Sequence, residues 1–264
     1  MSGIRHFLLA LQFFTRVPVT GPLADWVGFS PQMLRASAAH LPGIGWLVGS
    51  VAALVFTGVG MGLPGVAGAL AAAVLSTVAT VMLTGAFHED GLADVADGLG
   101  GSARRERALE IMKDSRIGAF GAVALVLALG LKFALLATLA ARGPQPVAIA
   151  IVGAHVLSRL MPLFLIRWLP YVGDSGASKA KPLADAISGG ALLIAVLWTV
   201  PAVALLLLAH DAVHVGAAVL MALLAAGWVA RLFMRRLQGF TGDGLGATQQ
   251  VCELAIYLAL AWRA

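Results

Sequence analysis

Charge is scarce in this chain. Asp, Glu, Lys and Arg supply 12% of its 264 residues, about half the share usual in soluble domains. Cysteine is nearly absent. Cys252 stands alone, which excludes an internal disulfide and a cysteine-ligated zinc centre. Strand signals are missing too, since no segment alternates apolar and polar residues between turn-forming clusters. A cleavable leader is not expected: Gln12, Thr15, Arg16 and Pro18 interrupt the first apolar run, and no small-residue cleavage site follows.

Apolar residues fill the place of what is lacking. They make up 60% of the chain, alongside 31 glycines. A soluble domain of this length has too little interior to hide that much apolar surface, so lipid is the expected solvent. The glycines suit close helix packing within it. The expected fold is all-α: a polytopic integral membrane helix bundle, read as one transmembrane domain over residues 1–264. Seven apolar runs are long enough to span, at 43–63, 66–87, 118–141, 147–169, 187–209, 213–233 and 245–262. The last is short and carries Glu253, so six spans is the alternative count. Residues 2–17 read as an interfacial amphipathic helix.

Numbering the spans sorts the loops. The N-terminal segment shares one side with loops 88–117, 170–186 and 234–244. Of the 18 Lys and Arg, only Arg142 and Arg263 fall on the other side, and Lys132 and Arg159 lie within spans. The remaining fourteen gather on the first side, span ends included. This bias places that side in the cytoplasm of a bacterial cell, with the protein in the cytoplasmic (inner) membrane. A pI near 10.0 then reports cytoplasmic loops facing anionic lipid, and no nucleic-acid partner is expected.

The carboxylates mark the chemistry. Glu89, Asp90, Asp94 and Asp97 fall within nine residues, in a chain with 13 acids. On a helix Asp90, Asp94 and Asp97 share one face. Like charges so placed repel, and a hard divalent ion such as Mg²⁺ or Mn²⁺ would compensate them. Glu89 points to a neighbouring face. The plainer alternative is a solvated acidic loop. His88, just before the acids, is either a hydrogen-bonded boundary residue or a general base.

Basic groups follow. Lys113 and Arg116 flank Asp114, after a basic stretch that begins at Arg104. Arg grips phosphate oxygens in bidentate fashion and Lys adds a point charge. Ser115 is a candidate cap for the next span, and Gly118 and Gly121 would allow close backbone approach. Thr241 and Asp243 lie in a glycine-dense segment before the last span. Lys179 lies on a Gly/Ser-rich loop and could close over an anion. Glu253 within the membrane calls for a partner, and Arg159 is the expected one.

The runs H-E-D-G-L-A-D-V-A-D-G at 88–98, M-K-D-S-R-I-G at 112–118 and T-G-D-G-L-G-A at 241–247 resemble the signatures of the cobalamin synthase family. F-T-R-V-P at 14–18 fits the same family's N-terminus. The resemblance implies an integral membrane transferase of cobalamin biosynthesis that requires Mg²⁺. It implies two small-molecule substrates, adenosylcobinamide-GDP and α-ribazole or its 5′-phosphate, joined at a ribose hydroxyl taken as the 5′ one, with release of GMP. It leaves oligomeric state open, a homo-oligomer included. For that chemistry Asp90, Asp94 and Asp97 are the expected main metal ligands, with Glu89 and Asp114 as further candidates. Lys113, Arg116, Arg104, Lys179 and Thr241 are the expected phosphate and substrate contacts. Asp97 or Asp243 would take the hydroxyl proton, with His88 a further catalytic candidate.

The segment also resembles the CDP-alcohol phosphotransferases, whose pattern is D-x-x-D-G-x-x-A-R then G-x-x-x-D-x-x-x-D. Asp94, Asp97 and Gly98 match the opening. Gly101 and Ser102 replace Ala-Arg, and Gly118 stands where the fourth acid belongs. A transporter is the third reading, weakened because the acids gather at a membrane edge rather than the midplane.

Overall fold

A computed structural model describes residues 2–173 and 186–262. Lys179 lies outside them. Among the described residues the chain is helical apart from turns and one isolated parallel bridge, Tyr171 with Phe240. Three short helices come first: α1 (Ser2–Phe14), α2 (Gly21–Val27) and α3 (Pro31–Ser37). A 3₁₀ turn leads into α4 (Leu41–Gly62), which pairs with α5 (Gly65–Thr84). Then come α6 (Phe87–Gly101) and α7 (Arg105–Ile111), followed by α8 (Ala119–Ala140) and α9 (Pro144–Trp168). The last three are α10 (Gly189–Ala209), α11 (Ala212–Arg236) and α12 (Gly242–Ala261).

Six stretches are long and apolar enough to cross a membrane: Pro31–Gly62, Gly65–Thr84, Ala119–Ala140, Pro144–Trp168, Gly189–Ala209 and Ala212–Arg236. Their outer faces carry Leu54, Met61, Val66, Met82, Val126 and Leu208 in the open. A soluble protein would not expose so much contiguous apolar surface. The expected seventh span corresponds to α12, which is 20 residues long but too polar to meet the same criterion. The packing explains this. α12 is held among α6, α8, α9 and α11, so its Thr248, Gln249, Gln250 and Glu253 are buried against protein rather than lipid. A helix wrapped by other helices needs no lipid-compatible surface.

Glycine sets how closely the helices approach. At Gly45 and Gly49 of α4, an added Cβ would run into the α9 backbone at His155, Val156 and Val152. α9 continues unbroken through Pro162. α1 packs on α2, α3 and α4 and buries Leu9, Ala10 and Phe14. Its end is tied to α5 by the Arg16 backbone N–H, which donates to the Leu83 carbonyl at 2.7 Å. The N-terminal helices therefore sit at the same end of the bundle as the α5–α6 turn.

Candidate functional site

The acid-rich segment forms a helix of its own. α5 stops at Gly85 (φ 71°), and Ala86 is left-handed as well (φ 60°). A left-handed alanine costs about 1 kcal/mol, and here it redirects the chain before Phe87. In α6, Asp90 is exposed, Asp94 half-buried and Asp97 buried. The expected shared face of these acids is present.

α12 brings a further acid to that face. Gly91 packs so closely on the Asp243 backbone that a Cβ would strike it, and Gly246 lies against the backbone of Phe87 and His88. These glycines let the first turn of α12 rest on α6 between Asp90 and Asp94. The electrostatics record the result. Burial first, then Asp243, Asp90 and Asp97, push the Asp94 carboxyl up to about 7. Burial and Asp90 push Asp243 up to about 6.

Asp97 has a structural duty besides. Its carboxylate accepts the backbone N–H of Gly118 at 2.7 Å and of Gly121 at 2.8 Å. It thus caps α8 from another helix, a place the sequence suggests for Ser115. Both glycines are required, because a Cβ at either would collide with that carboxylate.

Glu89 turns inward, as its offset from the other acids suggests. Its Oε1 accepts from Gln250 at 3.0 Å, while Oε2 is buried without a hydrogen-bond partner. From Gln250 the bonds run to Gln249 at 3.1 Å and on to Glu253 Oε2 at 2.7 Å. Glu253 Oε1 pairs with Lys132 Nζ at 2.7 Å. The expected Glu253–Arg159 pair is therefore replaced by Glu253–Lys132. Arg159 bonds instead to the Nδ1 and carbonyl of His155, at 2.8 and 3.0 Å.

The basic candidates lie farther out. Asp114 is engaged by Arg116, whose Nε and Nη2 reach it at 3.0 and 2.7 Å. That pairing holds the Asp114 carboxyl down to about 2. Arg104 and Lys113 are exposed. Arg236 donates to the carbonyls of Leu99 and Ser102 at 3.0 and 2.7 Å, fastening the end of α6. Thr241 caps α12 by accepting the Gly244 N–H at 3.1 Å. His88 is buried beside Phe87, and burial holds its imidazole well below the usual range, hence neutral at pH 7.

Among the described residues, no three His, Cys, Asp or Glu side chains are already gathered as a metal cage. The donors around α6 still suit a hard divalent ion in chemistry, being carboxylate oxygens alone. Burial first and neighbouring carboxylates second raise Asp94 and Asp243, and a cation bound there would favour their ionised forms.

Fold and site together define a polytopic membrane bundle that bears an acid face at one end. Comparison sharpens this. The profile described as cobalamin-5-phosphate synthase matches residues 6–261, so the chain belongs to that family. It is 59% identical to the adenosylcobinamide-GDP ribazoletransferase of Polaromonas naphthalenivorans, covering 99% of each chain. Against the enzyme of the same name from another Polaromonas species, identity is 58%, over 98% of this chain and 96% of that one. The one from Shewanella amazonensis is 46% identical, over 96% and 94%. No solved structure matches.

Proposed function

We propose that this chain joins the corrinoid half of adenosylcobinamide-GDP to α-ribazole or its 5′-phosphate at the cytoplasmic face of the bacterial inner membrane, releasing GMP. Membership of the family over residues 6–261 carries this reading. The acid face of α6 and α12 gives it a place to act. A new bond forms between a ribose oxygen and the phosphorus bearing the cobinamide. The bond from that phosphorus to the GMP oxygen breaks, and the hydroxyl proton passes to a carboxylate. The attacking hydroxyl is not the 5′ one. In an acceptor already phosphorylated at that position, and in a product described as cobalamin-5-phosphate, the 5′ oxygen is occupied, so another ribose hydroxyl attacks.

Asp90 and Asp94 would hold Mg²⁺, or Mn²⁺ in its place, together with phosphate oxygens of the donor. Bound there, the ion supplies charge neutralisation for the diphosphate and the departing GMP. Asp243, set beside Asp90 and Asp94 by the packing of α12 on Gly91, is the proposed proton acceptor. Asp97 fixes the start of α8 and with it the floor of the site. Arg104, Lys113 and Arg116 form a basic approach for the nucleotide phosphates.

The CDP-alcohol alternative is disfavoured by contact as well as by pattern. A side chain at 118 would strike the Asp97 carboxylate, so the fourth acid of that pattern has no room. Purified protein given Mg²⁺, α-ribazole and both adenosylcobinamide-GDP and a CDP-alcohol donor should consume the first donor alone. Consumption of the cytidine donor, read by product mass, would overturn the assignment.

A further inference from the structure

A large cleft lies apart from the acid face. It opens between the N-terminal helices and the α5–α6 turn, at the end of the bundle that holds the acids, and offers about 1340 Å³ open to solvent. Pockets for drug-sized ligands measure roughly 300–1,000 Å³, so this open cleft has room for something bulkier. Its walls are of two kinds. Phe13, Phe29 and Phe87 are aromatic, and Gln12, Arg16 and Asp25 are polar. Flat apolar faces with a hydrogen-bonding rim are what such walls would take up.

Position gives the cleft its meaning. Phe87 forms its wall and is also the first residue of α6. Asp90 and Asp94 follow at i+3 and i+7, on the same face of the helix. At 1.5 Å per residue, Asp94 lies roughly 10 Å along the axis from Phe87. The guanidinium of Arg16 lies against Gly85, where the cleft meets the turn into α6. A ligand seated here could thus send a phosphate-bearing arm past Arg16 to the acids. A second groove, lined by Met61, Val66, Ala137 and Pro144, lies at the opposite end of the bundle and is apolar, as a lipid-facing groove would be.

We propose that the cleft between α1, α2 and the α5–α6 turn seats the corrinoid macrocycle of the donor, with its diphosphate laid along α6 toward Asp90 and Asp94. The proposal rests on the reading of the function given above. A corrinoid has the required form: a broad apolar ring whose rim carries amides. Those amides meet Asp25, Gln12 and Arg16, while the ring face opposite the adenosyl group meets the phenylalanines. The nucleotide half then projects beyond the cleft toward the basic approach of Arg104 and Lys113.

Two variants test it. Ala24, on the cleft wall of α2, becomes an obstruction in Ala24→Trp. Phe29, an exposed wall residue, loses its ring in Phe29→Ser without disturbing any packed core. Each should raise the KM for adenosylcobinamide-GDP, roughly tenfold for the obstruction, and leave the KM for α-ribazole in place. Equilibrium dialysis with adenosylcobinamide alone, which lacks the nucleotide, should show the same weakening against wild-type protein. Mg²⁺-dependent thermal stabilisation, retained in both variants, shows that the fold and acid face persist. An unchanged donor KM in both variants overturns the proposal, as does adenosylcobinamide that fails to bind the wild type. Wild-type protein that binds adenosylcobinamide but never releases GMP would instead contradict the proposed reaction and leave the cleft assignment standing.

Discussion

Asp94 carries the heaviest electrostatic load on α6, because burial and three neighbouring carboxylates all oppose its ionisation. The sign of the consequence is fixed. A carboxyl raised to about 7 in the folded chain stabilises the fold below its unfolded value near 4 and withdraws that contribution as pH rises toward 7. Metal-free protein in EDTA should therefore melt at falling temperature between those pH values. Asp94→Asn should flatten that slope, raise the Tm at pH 8 and abolish stabilisation by Mg²⁺. A variant still stabilised by Mg²⁺ as wild type is would remove Asp94 from the metal site. The spacing of Asp90, Asp94 and Asp97 makes the acid face legible from sequence alone. The cap that Asp97 provides is not, because it joins residues 21 and 24 positions apart and depends on how α6 and α8 cross. The partner of Glu253 was hidden for a related reason. Counted from the polar end of each helix, Lys132, Glu253 and Arg159 lie roughly 20, 17 and 14 Å deep. Depth leaves both cations within reach, and only helix rotation selects Lys132.

At the scale of elements, α12 is the piece that sequence describes least well. Hydropathy measures fitness for lipid, and α12 meets other helices instead, so its polar residues lower its apparent claim to be a span. Those residues join the acid helix to the bundle interior through Glu89, Gln250, Gln249, Glu253 and Lys132. Breaking one half of the buried ion pair leaves the other charge stranded. Lys132→Met should cost about 3 kcal/mol or more, measured by thermal unfolding in detergent. The double variant Lys132→Met with Glu253→Gln should recover much of it. Equal losses in the single and double variants would show that the pair is not coupled. The α6–α8 junction makes a parallel case. Gly118→Ala places a methyl group on the Asp97 carboxylate and should lower both stability and turnover. Asp97→Asn keeps an acceptor for one N–H and should unfold less readily than Asp97→Ala, by about 1–2 kcal/mol. The reverse order would deny Asp97 its capping role.

For the whole molecule, the asymmetry of Lys and Arg along the sequence and the clustering of acids at one end of the bundle support one orientation. Cys252 is the single cysteine and is buried, so added cysteines report cleanly. In inside-out vesicles, Ala103→Cys before α7 should react with a membrane-impermeant thiol reagent, and Leu63→Cys in the α4–α5 connection should not. The opposite labelling would turn the site to the outside. Six of the seven expected spans and the polar end are legible in the sequence, because lipid thickness and charge bias act on composition. The N-terminal cleft is not, since it arises from how three short helices dock on a distant turn. The most direct test of the account is GMP release by purified protein in lipid vesicles given adenosylcobinamide-GDP, α-ribazole and Mg²⁺. Wild-type protein should release one GMP per cobalamin formed, and Asp94→Asn should release none. Undiminished GMP release by a correctly folded Asp94→Asn protein, or with Mg²⁺ fully chelated, would contradict it.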